Sequence, residues 1–159
     1  ACNLLSLPLS VKESLLWMYR LHCPNIELDK NVASLIKEIS VSVKQVVILT
    51  DGRSISQRLK LSSLGLLDFP AYISEDFLSN KPEKKRFKLI MENYICDNYI
   101  YIADNPEKDF IAPNYLGWRT ICLNNKGQNI HNQNKRKLNN FQSPDVWIDC
   151  LTELTEHLI

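Results

Sequence analysis

From residue 46 onward the chain alternates short apolar runs with amphipathic stretches. The apolar runs are rich in β-branched and aromatic residues, which is typical of buried strands. Four strands are predicted here: VVIL (46–49), AYIS (71–74), YIYIA (99–103) and WRTICL (118–123). The stretches between them predict helices at residues 54–65, 82–94 and 106–117.

Sequence signals at two of these helices support the alternation. Ser54 and Gln57 have the S-x-x-Q spacing of a capping box, and Gly65 follows as a helix stop. Pro82 falls in the first turn of the second helix, and apolar residues then recur at helical spacing. Strands that alternate with helices predict βαβ units. We therefore predict an α/β fold, a three-layer Rossmann-like parallel sheet with helices on both faces.

The flanks differ from this central region. Residues 11–40 predict two further helices, and residues 145–159 predict a short strand and an amphipathic helix. Residues 124–144 are rich in Asn and Gln, so we predict a mobile polar loop. The predicted division is an N-terminal helical segment, 1–28, and a core domain, 29–159, that contains this loop.

Composition narrows the class of protein. The chain has 159 residues, 45% apolar and 23% charged, which suits one ordinary globular domain. A net charge of +1 gives no reason to expect a nucleic-acid or membrane partner, and no apolar run is long enough to span a bilayer. The apolar N-terminus lacks a basic leader, so no signal peptide is expected. Five scattered cysteines without C-x-x-C spacing predict a reduced, cytoplasmic protein.

Polar residues follow the predicted strands at the edge where parallel sheets bind ligands. Thr50 ends the first strand, and with Gly52 and a new helix N-terminus it offers a hydroxyl and free N–H groups to phosphate. Lys81 precedes the second helix, and Asp104 and Asp109 follow the third strand. A carboxylate at the end of a buried run is costly unless it is compensated, and Mg²⁺ would compensate it. The convergence of these residues at one edge of the predicted sheet is stronger evidence for a ligand-binding site than any one of them alone.

Each residue also has an ordinary interpretation. Thr50 fits a simple turn before a capped helix, and Lys81 fits the solvated basic face formed by the cations that follow it. Asp104 and Asp109 fit the chemistry of a helix N-terminus. His131 lies in the polar loop without metal-ligand spacing, so a surface role is expected.

The strand-end motifs resemble those of a known family. The series VVILTDG, NKPEKKRF, YIYIADNPEKDF and LGWRTICL resembles the haloacid dehalogenase-like hydrolases, which are mostly phosphatases. The match covers residues 46–123, and the closing DVWIDCLTELTEHL also resembles the family's last strand and helix. The order and spacing of the three motifs are fairly specific.

By position, the resemblance implies roles for individual residues. Thr50 would hydrogen-bond the transferring phosphoryl group, and Lys81 would neutralise phosphate and nucleophile charge. Asp104 would bind Mg²⁺, and Asp109 would bind or orient the metal and its waters. Three residues behind the first strand are expected to contact the substrate: Asp51, Gly52 and Arg53.

The family's first motif, D-x-D, is missing from the sequence. Its leading aspartate is the nucleophile that forms an aspartyl-phosphate. Upstream of Thr50 the sequence has only Asp29, in the unrelated context IELDKNV. Residues 11–28 instead resemble the tail of the family's small helical cap. Three explanations stay open: a fragment, a degenerate member, or a chain in which CNLLSLPL fills the gap without the chemistry. The interrupted cap favours the fragment.

The expected function is that of a Mg²⁺-dependent phosphatase that acts on a small phosphorylated metabolite, of the sugar phosphate or nucleotide class. The present chain is expected to be inactive alone. The alternative is a non-catalytic binding or regulatory module with the same fold. A phosphoacceptor receiver-type domain ranks last, because it needs an acid where Thr50 stands. The sequence does not define an oligomeric state.

Overall fold

A computed structural model describes residues 8–124, 128–131 and 133–158. Its α-helices are α1 Leu9–Arg20, α2 Lys30–Ser42, α3 Ser54–Ser63, α4 Ser74–Phe77, α5 Lys85–Asn93 and α6 Ile111–Tyr115. Its strands are β1 Ile48–Thr50, β2 Ala71–Ile73, β3 Ile100–Ala103, β4 Arg119–Leu123 and β5 Val146–Ile148. Two 3-10 helices cover Lys135–Lys137 and Leu151–Glu156.

The described chain divides into two compact units. The first unit contains residues 8–28 and 47–78, and the second contains residues 29–46 and 79–158. The predicted division into 1–28 and 29–159 stays a prediction.

All the strand pairs are parallel. In the first unit β1 pairs with β2, with Thr50 opposite Ile73. In the second unit the strand order is β3-β4-β5, with Ala103 opposite Cys122. The predicted α/β class with parallel strands is confirmed, and the strands form two small sheets.

Several element boundaries differ from the prediction. Helix α5 begins at Lys85, so Pro82 lies before the helix rather than in its first turn. Helix α6 begins only at Ile111, because the preceding residues form a turn in which the N–H groups of Lys108 and Asp109 both donate to the carbonyl of Asn105. The closing amphipathic helix is a 3-10 helix.

The capping box predicted for α3 is wrong. Ser54 is the first helical residue and the N-cap is Arg53, whose side chain makes no cap hydrogen bond. The N–H of Ser54 instead donates to Oε2 of Glu75 at 2.8 Å. Gln57 accepts a hydrogen bond from Thr50 with its side-chain oxygen. A carboxylate from α4 therefore caps α3, which local spacing could not reveal.

The predicted end of α3 is confirmed. Gly65 has φ +68°, in the left-handed region that glycine adopts without steric cost. The N–H of Leu66 donates to the carbonyl of Leu61 at 2.8 Å, as in a Schellman motif.

The second unit contains an aliphatic core between α2, the sheet and the last 3-10 helix. Leu35 of α2, Ile121 of β4, Ile148 of β5 and Leu154 are all buried in one cluster. The side chain of Asp29 caps α2 by accepting from the N–H groups of Asn31 and Val32. Burying one of the aliphatic side chains of this core contributes roughly 1.5–3 kcal/mol to the stability of the fold.

A separate aromatic cluster supports β3 and β4. Phe87 of α5 makes edge contacts with Tyr101 and Trp118, at centroid distances of 5.2 and 5.4 Å. Tyr99 stacks on Trp118, and Phe110 contacts Tyr101. This cluster fixes the strand that leads into Asp104.

Helix α1 in the first unit has a largely exposed apolar surface. Its exposed large apolar residues are Val11, Leu15, Leu16, Trp17, Met18 and Tyr19. No helix in the described ranges is both long and apolar enough to cross a membrane.

Candidate functional site

The carboxyl end of β3 presents Asp104, the residue that directly follows Ala103. Asp104 is half-buried. Among the described residues, no hydrogen bond or ion pair engages its carboxylate, and only its main-chain carbonyl accepts a hydrogen bond. A carboxylate in this position can accept a ligand at little cost.

Asp109 is held much more tightly by its surroundings. Its residue is 2% exposed, and its Oδ2 accepts from the main-chain N–H of Asn105 at 3.2 Å. The N–H of Asp109 donates in turn to the carbonyl of Asn105 at 2.9 Å. Neither aspartate caps α6, whose N-cap is Phe110 without a side-chain hydrogen bond. The side chain of Asp109 instead stabilises the turn that precedes this helix.

Lys81 and Asp109 form a buried ion pair. Nζ of Lys81 lies 2.9 Å from Oδ1 of Asp109, and the two side chains are 11% and 3% exposed. The contact is one of charge, since Oδ1 lacks an aligned hydrogen bond among the described residues. Lys81 also donates to the hydroxyl of Tyr101 at 3.3 Å. Lys81 thus does not belong to a solvated basic face.

Two side chains of the polar segment contact the same edge of the sheet. The amide of Gln133 donates to the main-chain carbonyls of Asp104 and Leu123, at 2.7 and 2.9 Å, and so connects the ends of β3 and β4. Nδ1 of His131 lies 3.3 Å from Nδ2 of Asn105. These described residues make specific long-range hydrogen bonds, and the mobility predicted for the loop stays a prediction.

Cys122, buried at the carboxyl end of β4, reports the electrostatics of this edge. Burial, with the nearby carboxylates of Asp104 and Asp109, raises the pKa of the Cys122 thiol to about 12. The thiol is therefore neutral at physiological pH, and a cation would lower the negative potential here.

In the first unit, Thr50 ends β1 as predicted. Its hydroxyl donates to Oε1 of Gln57 at 3.2 Å. Gly52 has φ +140°, and a Cβ added there would lie 2.6 Å from Nε2 of Gln57. The Gln57 amide therefore lies directly against Gly52, and the backbone angle is the reason that glycine is favoured at this position.

The free N–H groups expected behind β1 are already paired. The N–H of Gly52 donates to Oγ of Ser74 at 2.9 Å, and Ser54 donates to Glu75. Arg53 forms an exposed ion pair with Glu75 at 2.7 Å. The prediction of free donors at this helix N-terminus is wrong for Gly52 and Ser54, because α4 supplies acceptors. The substrate-binding roles of Asp51, Gly52 and Arg53 stay predictions.

A groove of about 440 Å³ lies elsewhere in the second unit. It is lined by Asn114, Gly117, Trp118, Arg119, Asn140, Phe141, Ser143 and Asp145. Arg119 is the first residue of β4, so the groove lies at the amino end of that strand. Parallel sheets bind ligands at the opposite edge, and several of the groove's polar groups already bond one another, as Asn114 does with Phe141 and Ser143.

The donor set at the end of β3 fits Mg²⁺ in one respect. Among residues 8–124, 128–131 and 133–158, no three His, Cys, Asp or Glu side chains are arranged to hold a metal. Mg²⁺ usually takes only one or two carboxylates, with waters and substrate phosphates as its other ligands. The open carboxylate of Asp104 meets that requirement, whereas both oxygens of Asp109 have protein partners.

Comparison with solved structures identifies the fold. A putative hydrolase from Bacillus subtilis, YfnB, bound to magnesium, superposes with a TM-score of 0.67 and 24% identity over 82% of this chain and 56% of that one. A phosphatase from Thermococcus onnurineus superposes with a TM-score of 0.69 and 24% identity over 99% of this chain and 68% of that one. A 2-haloacid dehalogenase from Pseudomonas syringae gives a TM-score of 0.61 and 23% identity, over 82% and 53%.

This chain has the haloacid dehalogenase-like fold. The resemblance read from the strand-end motifs is therefore confirmed at the level of fold. The chain spans a little over half the length of the YfnB structure and of the Pseudomonas syringae structure, 56% and 53%. No family model and no curated protein matches the sequence.

Sequence reasoning missed three residues around the aspartates, Tyr101, Asn105 and Gln133, and gave His131 only a surface role. Tyr101 was assigned only to the strand, and its alternation with Ile100 and Ile102 gave no sign that its hydroxyl meets Lys81. The density of amide side chains after β4 was the available signal for Gln133, because amides often satisfy strand-end carbonyls.

Proposed function

We propose that this chain carries the phosphate-holding and metal-holding part of a Mg²⁺-dependent phosphoric monoester hydrolase of the haloacid dehalogenase type. Its substrate would be a small phosphorylated metabolite, of the sugar phosphate or nucleotide class. The observation that carries the proposal is the pair of different carboxylates after β3. Asp104 is open, while Asp109 is buried against Lys81.

The residues present suit phosphoryl transfer, which depends on positioning and charge neutralisation. Asp104 would bind Mg²⁺, and Asp109 would orient the metal's waters while it fixes Lys81. Bound Mg²⁺ would supply positive charge to the phosphoryl oxygens. Lys81, held by Asp109 and Tyr101, would neutralise a phosphoryl oxygen. The hydrogen bond from Thr50 to a phosphoryl group stays a prediction.

A phosphatase is favoured over a dehalogenase by the chemistry of this edge. An unpaired carboxylate and a nearby ammonium group together suit a hard cation with an oxyanion. A haloacid also has an oxyanion, its carboxylate, but displacing its halide needs no hard cation, whereas phosphoryl transfer is stabilised by one. Among the similar structures, the name of one includes magnesium and that of another says phosphatase, while a third is a dehalogenase.

The sequence contains no D-x-D, so we propose that the chain shows little or no turnover by itself. The missing motif also favours a second function, a non-catalytic binding or regulatory module. Any coding sequence that precedes the codon for Ala1 discriminates the two. A D-x-D after an apolar run there supports the hydrolase, and a reading frame without one supports the module.

Calorimetric titration tests the binding that both functions share. We expect Mg²⁺ and inorganic phosphate to bind together, and Asp104→Asn to lower the affinity at least about tenfold, since it removes a charged ligand. Glu107→Gln is the matched control, because it removes an exposed carboxylate three residues away. Equal affinity of the Asp104→Asn and Glu107→Gln variants for Mg²⁺ and phosphate would show that Asp104 is not part of the binding site.

An assay with a generic phosphomonoester and Mg²⁺ tests the proposed lack of turnover. Robust hydrolysis that Asp104→Asn abolishes would show that the chain has its own nucleophile. Hydrolysis at background level, with binding retained, agrees with the proposal.

A further inference from the structure

The described residues 128–131 and 133–135, termed the strap, follow β4 and contact the ends of β3 and β4. Gln133 uses both protons of its amide on two main-chain carbonyls, that of Asp104 and that of Leu123. Asn129 donates to the carbonyl of Leu123 at 3.2 Å, and Nζ of Lys135 lies 4.3 Å from the ring centroid of Trp147. The contacts of Asn129 and Gln133 place these two residues at the edge that contains Asp104.

His131 lies within this strap, and its ring contacts Asn105. Nδ1 of His131 is 3.3 Å from Nδ2 of Asn105, the residue next to Asp104. The main-chain N–H of His131 is 3.5 Å from Oδ1 of Asn129. The ring is half-buried and is held on one side only.

The orientation of the Asn105 amide determines the tautomer of His131. Oδ1 of Asn105 accepts from the main-chain N–H of Glu107 at 3.2 Å, so Nδ2 must face the imidazole. An amide N–H₂ only donates, and Nδ1 of His131 is therefore the acceptor. In the neutral ring the proton then lies on Nε2.

Nε2 of His131 has no hydrogen-bond partner among the described residues. A donor prepared in this way, on a ring that contacts Asn105, the residue next to the open carboxylate of Asp104, suits an oxygen acceptor. A short hydrogen-bond network fixes this tautomer. The carboxylate of Asp109 accepts from the main-chain N–H of Asn105, and the main-chain N–H of Glu107 donates to the side-chain oxygen of Asn105. The Asn105 side chain is therefore held with its N–H₂ group towards the His131 ring.

We propose that His131 is a substrate-recognising residue, and that its Nε2–H donates a hydrogen bond to an oxygen of a phosphoryl group bound beside Asp104 and Lys81. The proposal rests on the proposed function, since it takes phosphate as the ligand. It adds a residue from outside the three strand-end motifs. Asn105 is the positioning residue that holds the ring in the donor form.

Nitrogen-detected NMR of the whole chain tests this inference, because the chain has only three histidines. At about pH 8 an ordinary imidazole is neutral, so its two ring nitrogens report the tautomer. We expect His131 to be protonated on Nε2. Adding inorganic phosphate with Mg²⁺ should shift its ring signals and leave those of His22 and His157 in place.

A variant measures the contribution of this donor. His131→Ala should weaken phosphate binding about 2- to 10-fold, the range for one neutral hydrogen bond. His22→Ala, a histidine of the first unit, is the matched control and should bind phosphate as the unmodified chain does. Asn105→Ala should return His131 to a mixture of tautomers.

The outcomes separate this inference from the proposed function. Phosphate binding that depends on Asp104 but leaves the His131 ring unmoved would overturn the inference alone. A predominant Nδ1–H tautomer would overturn it as well. No phosphate binding by the chain would overturn both.

Discussion

Two carboxylates five residues apart have different environments at the end of β3. Asp109 is buried and paired, whereas Asp104 is half-exposed and open. A buried carboxylate needs compensation from a positive charge or from N–H donors, and Asp109 receives both, from Lys81 and from Asn105. Because of this difference, Asp104 is open to a ligand, whereas Asp109 holds Lys81 and Asn105 in place.

The ion pair gives a prediction about stability. Lys81→Met should lower the free energy of unfolding by about 3–5 kcal/mol, because it leaves Asp109 buried without its cation. Urea denaturation measures the change. The double variant Lys81→Met/Asp109→Leu should lose less, since no unpaired charge remains.

Lys88→Met provides the control for this prediction. Lys88 is an exposed lysine of the following helix, and its removal should change the free energy of unfolding by less than about 0.5 kcal/mol. A loss in Lys81→Met no larger than that of Lys88→Met would mean that the pair contributes nothing to folding.

At the level of elements, α4 contacts α3 through two carboxylates: Asp76 forms an ion pair with Arg58 at 2.8 Å, and Glu75 binds the start of α3. Glu75 accepts from the Ser54 N–H at the start of α3 and from Arg53. These two hydrogen bonds, with the main-chain donor the stronger influence, hold the pKa of Glu75 below its ordinary value of 4.5. The negative charge also lies at the positive end of the α3 dipole.

The lowered pKa of Glu75 predicts a pH dependence. A carboxyl whose pKa is lower in the folded state stabilises the fold above its unfolded pKa of 4.5, and this contribution is lost as pH falls through the folded value. Thermal unfolding of Glu75→Gln should therefore show a lower Tm than the unmodified chain near neutral pH. The gap should close in acid.

Glu83→Gln, which changes an exposed glutamate of the second unit, is the control. Its Tm should follow that of the unmodified chain across the same pH range. A Tm difference for Glu75→Gln that stays constant into acid would exclude the charge of Glu75 as its cause.

At the level of the whole molecule, two units each contain a small parallel sheet. The second unit has an aliphatic core on which α2, β4, β5 and the last 3-10 helix converge. Residues 29–46 of this unit are separated in sequence from residues 79–158, so its core forms only after chain segments far apart have met. Its stability therefore depends on long-range packing rather than on helix propensity.

This core gives a prediction at the same scale. Ile121→Ala should lower the free energy of unfolding by about 2–5 kcal/mol, because it leaves a cavity at a position with no exposed surface. Urea denaturation monitored by circular dichroism measures it. Ile130→Ala, at a residue that is 91% exposed, should have little effect. Equal losses in the two variants would contradict the core assigned here.

The sequence predicted the strands well because their signals are local. Runs such as YIYIA and WRTICL are apolar and β-branched or aromatic over the length of one strand, and Gly65 marks a helix end by its own backbone freedom. The capping box at Ser54 failed for the opposite reason. Its spacing was correct, but Glu75 from another helix took the N–H group.

The sequence by itself determined the α/β fold, the order of strand-end residues and the placement of Asp104 after a buried strand, because apolar periodicity and turn chemistry act over a few residues. Only the tertiary structure decided that Lys81 pairs with Asp109, that Tyr101 meets Lys81, and that Gln133 reaches the carbonyl of Asp104. These partners lie 20 to 29 residues apart in sequence. A hydrogen bond or ion pair across such a distance leaves no local pattern, because packing of the strands and helices is what brings its two ends together.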